Sequence, residues 1–385
     1  DHLGLYCLKT AVIKLLHTAD IHLGAKFKGL GEKGKVQRQQ VCTTFKKLIA
    51  LAIEEKVDIV LIAGDLFDSN QQPKSNIDLV IEQFGLLASK NIPICIIPGT
   101  HDCFDSTSIY RKVNLAEACP NVTLFTAEGW SCQDFPALGL TVYGRPNSSN
   151  RSQQSPLERL KRTTSSQYHV ALAHGSLNIG TVQEDDHVFT TEQLQNSQMN
   201  YIALGHWHSV SMCSDKGVVA WYSGAPEMID RDQKQPGHVL LVSITDSGEV
   251  KVEPRRTGLR YRDEPEIHLD DVESVPQLKA KIMEGANPNL VRRVFIKGMR
   301  GEDFHISPEE LEDELSAGFF DLRIENQSHP KISQFSGDVF EKQLIASKFA
   351  SLMREHIEAC QGEDREIAEE ALQYGIALLQ SKEVL

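Results

Sequence analysis

The feature that most constrains this chain is a series of short apolar runs, each of which ends in polar side chains. The runs VIKLLHTAD, VDIVLIAGD, IPICIIPGTHD, YHVALAHG and NYIALGHWH are typical of buried strands. Their polar ends carry Asp20, Asp65, His101, His174 and the pair His206 and His208. In layered α/β cores, ligands gather at the carboxyl ends of strands. The pattern therefore predicts an α/β fold with one site built from several strand ends.

Helical patterns separate the early strands. Residues 45–56 and 76–90 have apolar residues at i, i+3 and i+4, the spacing of an amphipathic helix. Mostly strand-like runs follow, among them GLTVYGRP, VVAWYSGAP and GHVLLVSI. Early alternation of strand and helix, followed by strands, predicts a layered core with a strand-rich second half over residues 11–255.

The last third of the chain has a different organisation. The stretch RRTGLRYRDEP (255–265) is typical of a linker, and the patterns over 264–335 predict a small α/β module. Residues 336–385 form a predicted helical tail, with amphipathic helices at 338–360 and 364–381 joined by a turn at CQGED. The apolar stripes of this tail either pack back on the preceding domain or dock on a partner.

Several protein classes are disfavoured. No run reaches the roughly 18–20 apolar residues that a membrane span needs, and the first ten residues lack the basic start and apolar stretch of a signal peptide. The eight cysteines include no C-x-x-C pair, which argues against a disulfide framework and against a zinc ion held by cysteines. The sequence predicts a cytoplasmic protein with reduced thiols and no membrane contact.

The net charge of −13 is unevenly distributed. Residues 261–385 carry 14 Lys and Arg against 26 Asp and Glu, whereas residues 1–260 carry 26 against 27. The acidity belongs to the last third, so the global charge does not exclude a nucleic-acid substrate. A basic cluster follows the first strand end and consists of Lys26, Lys28, Lys33, Lys35 and Arg38. It is interpreted either as a solvated surface or as a DNA-contacting loop.

The strand ends together form a candidate set of metal ligands. The motifs are Asp20-x-His22, Gly64-Asp65, Gly99-Thr100-His101-Asp102, His174 and Gly205-His206-x-His208. Singly each motif is weak, because a lone buried histidine is usually a core residue and Gly-Asp after a strand is usually a turn. Five strand ends that carry hard or borderline ligands beside glycines, however, predict a divalent metal centre.

Three further polar residues have a structural interpretation. His17 and His169 lie within predicted strands and are predicted to be core residues. Asp68 is predicted to cap the segment that follows it rather than to bind a metal ion.

The motif series resembles, in order, that of the calcineurin-like metallophosphoesterases, over about residues 11–250. Within that superfamily, LHTADIHLG (16–24), GDLFD (64–68), Pro73 and YSGAP (222–226) are similar to the DNA-repair nucleases of the SbcD type. The resemblance implies a four-layer sandwich of two mixed β-sheets flanked by helices. It also implies that residues 264–335 are a small α/β capping domain.

The resemblance assigns a role to each residue of the candidate set. It implies a first metal ion held by Asp20, His22, Asp65 and His208. It implies a second ion held by Asp65, Thr100, His174 and His206. His101 would face the scissile phosphate and stabilise the leaving oxygen, with Asp102 orienting it. Imidazole and carboxylate ligands suit two manganese ions, with iron or zinc as alternatives.

Position 100 departs from the family pattern, which places asparagine there. Thr100 offers a hydroxyl on a shorter side chain in place of an amide oxygen. The second metal ion is then either bound more weakly or completed by a water molecule. In a third interpretation, Asp65, His174 and His206 suffice.

The resemblance implies a function and partners. The function is manganese-dependent hydrolysis of DNA in DNA repair, as an exonuclease with a 3′-to-5′ component and as an endonuclease. The partners are DNA, a coiled-coil ATPase of the SbcC type that docks on the tail, and a second copy of the chain. Two alternatives stay open: a metallophosphoesterase that acts on small phosphoesters or cyclic nucleotides, and a non-catalytic scaffold that retains the fold.

Overall fold

The structure is a computed structural model that describes residues 12–180, 186–214, 217–231, 233–300, 304–330 and 344–379. The chain divides into two compact units, Asp1–Arg262 and Asp263–Leu385. The start of the first predicted domain at residue 11, and the predicted helical residues 338–343, 380 and 381, lie outside the described ranges. The domain limits 11–255, 264–335 and 336–385 stay predictions.

The first unit contains fourteen strands within its described residues. In chain order they are β1 (Ile13–Thr18), β2 (Ile59–Ala63), β3 (Ile94–Ile97), β4 (Val122–Leu124), β5 (Ser131–Phe135), β6 (Leu140–Gly144), β7 (Tyr168–His174), β8 (Ser176–Leu177), β9 (Val188–Phe189), β10 (Tyr201–Gly205), β11 (Ser211–Ser214), β12 (Val219–Tyr222), β13 (His238–Ile244) and β14 (Val250–Arg256). The helices are α1 (Lys33–Glu54), α2 (Lys74–Ala88), α3 (Ile109–Lys112), α4 (Leu115–Ala118) and α5 (Thr191–Asn196), with 3-10 turns at Lys28–Leu30 and Pro136–Leu138.

Twelve of these strands form two mixed sheets. The first sheet has the order β14-β13-β1-β2-β3-β4, in which β1 to β4 are parallel and β13 runs antiparallel to β1 and β14. The second has the order β11-β12-β10-β7-β6-β5, with four parallel strands in the middle and an antiparallel strand at each edge. Two mixed sheets flanked by helices confirm the predicted fold class.

The alternation of side chains explains how the layers pack. On β2, Ile59, Leu61 and Ala63 belong to the core between the two sheets, together with Leu140 and Tyr201 of the second sheet. Val60 and Ile62 point the other way, into a core that α1 and α2 complete with Phe45 and Phe84, among others. Because both faces are covered, these strands are apolar throughout. The polar residues that follow them mark their carboxyl ends.

A polar link between the sheets lies within the core, at His17. The His17 Nε2–H on β1 donates to the carbonyl of Leu204, 3.1 Å away, and Nδ1 accepts a hydrogen bond from the Tyr201 hydroxyl at 2.8 Å. Burial lowers the pKa of His17 to about 3, and the bond to Leu204 opposes this shift only in part. The prediction that His17 is structural is confirmed, and so is that for His169, which lies on β7 and contacts the Tyr143 hydroxyl.

A buried glutamate fixes the end of the first unit. The carboxylate of Glu227 is fully buried and accepts hydrogen bonds from Thr44 Oγ1 of α1 at 2.7 Å and from the backbone N–H groups of Leu259 and Arg260 at 2.8 and 3.0 Å. The prediction of a linker over 255–265 is therefore wrong in part. β14 extends to Arg256, and β15 (Tyr261–Asp263) lies at the unit boundary.

The second unit has a small sheet with helices. Its strands are β16 (Glu266–His268), β17 (Leu290–Lys297), β18 (Met299–Arg300), β19 (Asp321–Asn326) and β20 (His329–Pro330), and its helices are α6 (Val275–Met283), α7 (Pro308–Leu315), α8 (Leu344–Ala359) and α9 (Glu363–Leu379). β16 and β19 both pair in parallel with β17. Arg292 of β17 is buried and donates to both carboxylate oxygens of Asp263, at 2.9 and 2.6 Å.

The two tail helices pack on each other. Ala350 and Ile357 of α8 are buried in a small core with Ala368, Leu372 and Ile376 of α9. The two tail helices therefore bury part of their predicted apolar stripes against each other. None of the described helices combines the length and the apolarity that a bilayer crossing requires.

We expect His17 to make the stability of the first unit dependent on pH. The unfolded side chain binds a proton below about pH 6.5, whereas the folded one stays neutral down to about pH 3. Stability is therefore lost as the pH falls, by about 2 kcal/mol between pH 7 and pH 5. Urea unfolding followed by tryptophan fluorescence measures this, because Trp130, Trp207 and Trp221 all lie in the first unit.

The His17→Asn variant lacks the titrating group. Its free energy of unfolding should therefore fall by about 2 kcal/mol less than that of the wild type between pH 7 and pH 5. The matched control is His268→Asn, which replaces an exposed histidine of the second unit. Identical pH dependence in wild type and His17→Asn would contradict the assignment.

Candidate metal centre

The segments after β1 and β2 run side by side and present the first ligands. The N–H of Asp20 donates to the Gly64 carbonyl at 3.1 Å, and the N–H of His22 donates to the Asp65 carbonyl at 3.0 Å. Pairing thus continues beyond the strands. Asp20, His22 and Asp65 are fixed in register with each other and are buried.

Four of the candidate ligands have a backbone conformation that non-glycine residues rarely adopt. The φ angles are 53° at Asp20, 51° at His22, 52° at Asp65 and 106° at His206. A left-handed backbone costs such residues on the order of 1–3 kcal/mol each and persists only where the surrounding structure imposes it. The coincidence of these residues at one place indicates that the fold directs their side chains to a common point.

Glycines next to the ligands let the strand ends approach. At Gly64, which has a φ of +93°, a Cβ atom would lie 2.3 Å from Nδ1 of His174. At Gly99 it would lie 2.3 Å from Oδ1 of Asp65. Neither position has room for a side chain, which gives a physical reason for the glycines in the Gly64-Asp65 and Gly99-Thr100 motifs.

The side chains converge in three overlapping groups, of which two consist of predicted ligands and the third of His22, Asp68 and His101. One ligand atom each of Asp20, His22 and His208 lies within 4.8 Å of the others, and the same holds for Asp20, Asp65 and His174. His22 Nε2 lies 3.1 Å from His208 Nε2, and His174 Nε2 lies 3.3 Å from Asp65 Oδ2. Two facing imidazole nitrogens beside buried carboxylates are a donor set for a divalent cation. The residues therefore fit a metal centre.

The carboxylates draw positive charge into the cluster. Burial disfavours the charged form of His174, but the charge of Asp65, a hydrogen bond to it and the charge of Asp20 outweigh burial and raise the pKa of His174 to about 9. Burial likewise opposes ionisation of Asp65, yet His174 holds the pKa of Asp65 well below its usual value. The same negative charge would also stabilise a bound cation.

The remaining predicted ligands lie at the same cluster. Thr100 Oγ1 is 3.3 Å from Asp65 Oδ2 and 3.4 Å from His174 Nε2. The N–H of His206 donates to the Asp20 carboxylate at 3.0 Å, and its ring lies 5.2 Å from that of His174. All seven residues predicted as ligands are thus brought together, and their roles as ligands stay predictions.

His101 lies at the edge of the cluster and faces solvent. Its N–H donates to Asp65 Oδ1 at 2.8 Å, and its ring lies 4.6 Å from the ring of His22. Nδ1 lies 3.1 Å from the carbonyl oxygen of Asp68, and half of the side chain is exposed. It lines a cavity of about 590 Å³ together with Thr100, Asp186 and His206.

The predicted role of Asp102 is wrong. Its carboxylate does not orient His101 but accepts hydrogen bonds from the N–H groups of Gly99 and Phe67, at 2.7 and 3.2 Å, and from the Tyr110 hydroxyl at 2.5 Å. Burial raises the pKa of Asp102 to about 6. Asp102 therefore ties the loop after β3 to the loop after β2, and the backbone of Asp68 takes the position that orients His101.

Two carboxylates have roles that the sequence did not predict. Asp68 Oδ1 lies 3.2 Å from His22 Nδ1, whereas α2 begins after Pro73 without a side-chain cap, so the capping prediction for Asp68 is wrong. Asp186 Oδ1 lies 3.0 Å from His206 Nε2. Asp186 belongs to none of the recognised motifs and precedes β9 in a connection between strands, so only the fold reveals its neighbour.

The basic cluster begins four residues after His22 along the chain. Its five side chains are exposed, with the 3-10 turn at Lys28–Leu30 between Lys26 and the start of α1 at Lys33. Arg38 donates to the carbonyl of Lys26 at 2.7 Å. The first turn of α1 contains no acidic residue, so Lys33 and Lys35 lie where the helix dipole disfavours positive charge.

Comparison with known proteins places the chain in context. The sequence pattern of the family described as calcineurin-like phosphoesterase matches residues 13–210. An uncharacterized metallophosphoesterase, YhaO of Bacillus subtilis, is 24% identical over 86% of this chain and 86% of its own length.

Two further relatives have names that refer to DNA cleavage or repair. The DNA double-strand break repair protein Mre11 of Sulfurisphaera tokodaii is 30% identical over 57% of this chain and 55% of its own length. A subunit of the SbcCD nuclease of Staphylococcus epidermidis is 25% identical over 51% of this chain and 57% of its own length. The chain thus spans little more than half the length of these two relatives.

We expect Gly64→Ala to impair metal binding about tenfold or more. The left-handed backbone costs alanine about 1–2 kcal/mol, and the new Cβ would meet His174 Nδ1 at 2.3 Å. Titration calorimetry with Mn²⁺ measures the affinity. The matched control is Gly85→Ala inside α2, where a Cβ meets nothing within 4 Å. That control should keep the affinity and gain about 0.5–1 kcal/mol of stability; equal affinities in both variants would contradict the packing argument.

Proposed function

Because the chain belongs to the calcineurin-like phosphoesterase family, we propose that it is a two-metal phosphodiesterase that cleaves DNA. Membership of the family means hydrolase chemistry on phosphoester bonds. The observation that carries the proposal is the convergence of Asp20, His22, Asp65, His174 and His208 within two overlapping groups of ligand atoms. Asp20 belongs to both groups, Asp65 Oδ2 lies 3.7 Å from His22 Nε2, and the half-exposed His101 lies beside them.

The proposed centre uses the residues in two sets. The first ion is held by Asp20, His22, Asp65 and His208, and the second by Asp65, Thr100, His174 and His206. When bound, two such ions supply an activated water molecule and neutralise charge on the phosphate. Manganese is the proposed metal, because imidazole and carboxylate ligands occur together.

The chain's own residues orient and protonate the substrate. His101 is the residue proposed to act on the leaving oxygen, since its ring faces the cavity beside the cluster. Nδ1–H donates to the Asp68 carbonyl, so Nε2 is the nitrogen that faces the leaving oxygen, and it donates a proton to that oxygen in the imidazolium form of the ring. Asp102 acts on the reaction only through the backbone, because it fixes the loop that carries Thr100 and His101.

DNA is the substrate class that the relatives favour. Two relatives are named as a DNA double-strand break repair protein and as part of a nuclease. The exposed Lys26–Arg38 cluster supports the same choice, because its lysines at the amino end of α1 lie where the helix dipole disfavours positive charge and where a phosphate would be attracted. Replacing Lys26 and Lys28 by Gln should lower the salt dependence of DNA binding by about two units of slope. An unchanged slope would remove the cluster from the proposal.

The decisive test is cleavage of a 3′-labelled duplex and of a single-stranded circle, with manganese, with magnesium and with a chelator. We expect manganese-dependent cleavage of both substrates, lost in chelator and reduced about 100-fold or more in His101→Ala. His268→Ala, which changes an exposed histidine of the second unit, is the matched control and should cleave like wild type.

Other outcomes of this test separate the alternatives. Hydrolysis of small phosphodiesters without DNA cleavage would support the small-ester enzyme. Metal binding without hydrolysis of either substrate would support a non-catalytic scaffold. Cleavage that persists equally in His101→Ala would overturn the role given to His101.

We expect Thr100→Asn to raise the affinity of the second metal ion about tenfold, equivalent to about 1.4 kcal/mol. The Thr100 hydroxyl lies 3.3 Å from Asp65 Oδ2 and 3.4 Å from His174 Nε2. The longer side chain of asparagine would place its amide oxygen further into the space that these atoms surround, where the second ion is proposed to bind. Calorimetric titration with Mn²⁺ measures the change, with the exposed Thr43→Asn on α1 as control. Equal titrations for wild type and Thr100→Asn would contradict a limiting role of residue 100.

The tail is proposed to dock on a coiled-coil ATPase of the SbcC type, with the enzyme acting as a dimer. The α8–α9 pair buries one stripe but leaves Leu352 and Ile367 more than half exposed, at 56% and 59%. We expect Leu352→Lys with Ile367→Lys to abolish co-purification of such an ATPase, whereas Glu355→Ala on α8 should not. Undiminished co-purification of the double variant would exclude this docking surface.

A further inference from the structure

Asp186 lies between Ser176 and the candidate ligand His206 in a chain of hydrogen bonds. The indole N–H of Trp207 donates to Ser176 Oγ at 3.1 Å, and the Ser176 hydroxyl donates to Asp186 Oδ2 at 2.6 Å. The other carboxylate oxygen, Oδ1, lies 3.0 Å from Nε2 of His206. Both oxygens of Asp186 are thus engaged, one by a hydroxyl and one by an imidazole.

The backbone holds this carboxylate in place. β8 and β9 pair in parallel, and the N–H of Ser176 donates to the His187 carbonyl at 3.2 Å. The N–H of His187 donates to the Ser152 carbonyl at 3.0 Å, and Asp186 itself bridges Ser152. Asp186 is therefore anchored from two sides rather than carried on a free loop.

The geometry decides which nitrogen of His206 carries the proton. A carboxylate is only an acceptor, so the nitrogen that faces Asp186 at 3.0 Å must bear the hydrogen. In a neutral imidazole the other nitrogen, Nδ1, then has the free electron pair. That nitrogen is the one left for a metal ion, and the His206 backbone N–H is itself tied to Asp20.

We propose that Asp186 is a positioning residue for the second metal ion: it fixes the Nε2–H tautomer and the ring orientation of His206, so that Nδ1 faces the metal centre. Carboxylates that accept the second N–H of a metal-binding histidine raise the basicity of that ligand and restrict its rotation, and their loss typically costs 10–100-fold in metal affinity. Ser176 and Trp207 support Asp186 in turn. This inference rests on the proposed two-metal function.

Two measurements test it. Long-range ¹H–¹⁵N correlation spectra of histidine-labelled, metal-free protein report the tautomer of His206. We expect the Nε2–H form. Calorimetric titration with Mn²⁺ should show two ions bound to the wild type. In Asp186→Asn we expect the affinity for one ion to fall 10–100-fold, with the other changed less than twofold. Ser176→Ala should give a smaller loss of the same kind.

The matched control is Asp134→Asn, which changes a carboxylate that also accepts a hydroxyl hydrogen bond, from Thr141 at 2.7 Å, outside the ligand cluster. It should leave both affinities unchanged. A predominant Nδ1–H form of His206, or two unchanged affinities in Asp186→Asn, would overturn the inference while leaving the two-metal function intact. A wild-type protein that binds fewer than two ions would instead refute the proposed function, and the spectrum would still decide the tautomer.

Discussion

The structure of the site depends on the carboxylate of Asp65. It accepts the N–H of His101 through one oxygen at 2.8 Å, and its other oxygen lies 3.3 Å from Thr100 Oγ1 and from His174 Nε2. Three strand ends from two different sheets therefore meet at one side chain. Asp65 is buried, and the same carboxylate atoms that are proposed to hold metal join the end of β2 in the first sheet to the end of β7 in the second.

That arrangement has a conformational cost that the rest of the fold offsets. Left-handed backbones at Asp20, His22, Asp65 and His206 would each destabilise an isolated chain. They are retained because apolar strands packed on both faces leave the chain no alternative path at their carboxyl ends. The free energy gained by packing the core thus offsets the cost of the left-handed backbones, and these backbones hold the candidate ligands in fixed positions.

The sequence predicted those residues of the site that are marked by the few residues next to them in the chain. Apolar runs followed by glycine or a polar residue identify Asp65, His101 and His174, because each signal lies within a few consecutive residues. The α1 helix begins at Lys33, twelve residues before the predicted start, because its first turns are polar and carry no apolar periodicity. Asp186 and the true contacts of Asp102 could not be predicted, since their partners are chosen by packing rather than by local sequence.

Glu227 has a consequence for how the chain can vary. Its carboxylate joins α1 to the backbone at Leu259 and Arg260, directly before the boundary between the two units. The chain therefore leaves the first unit from a fixed point in the same unit that carries the candidate ligands. We expect changes in length or sequence after residue 262 to leave the strands with the candidate ligands in place, because those strands belong to the first unit. The strands with the candidate ligands thus form one compact unit, and Glu227 holds the end of that unit against α1.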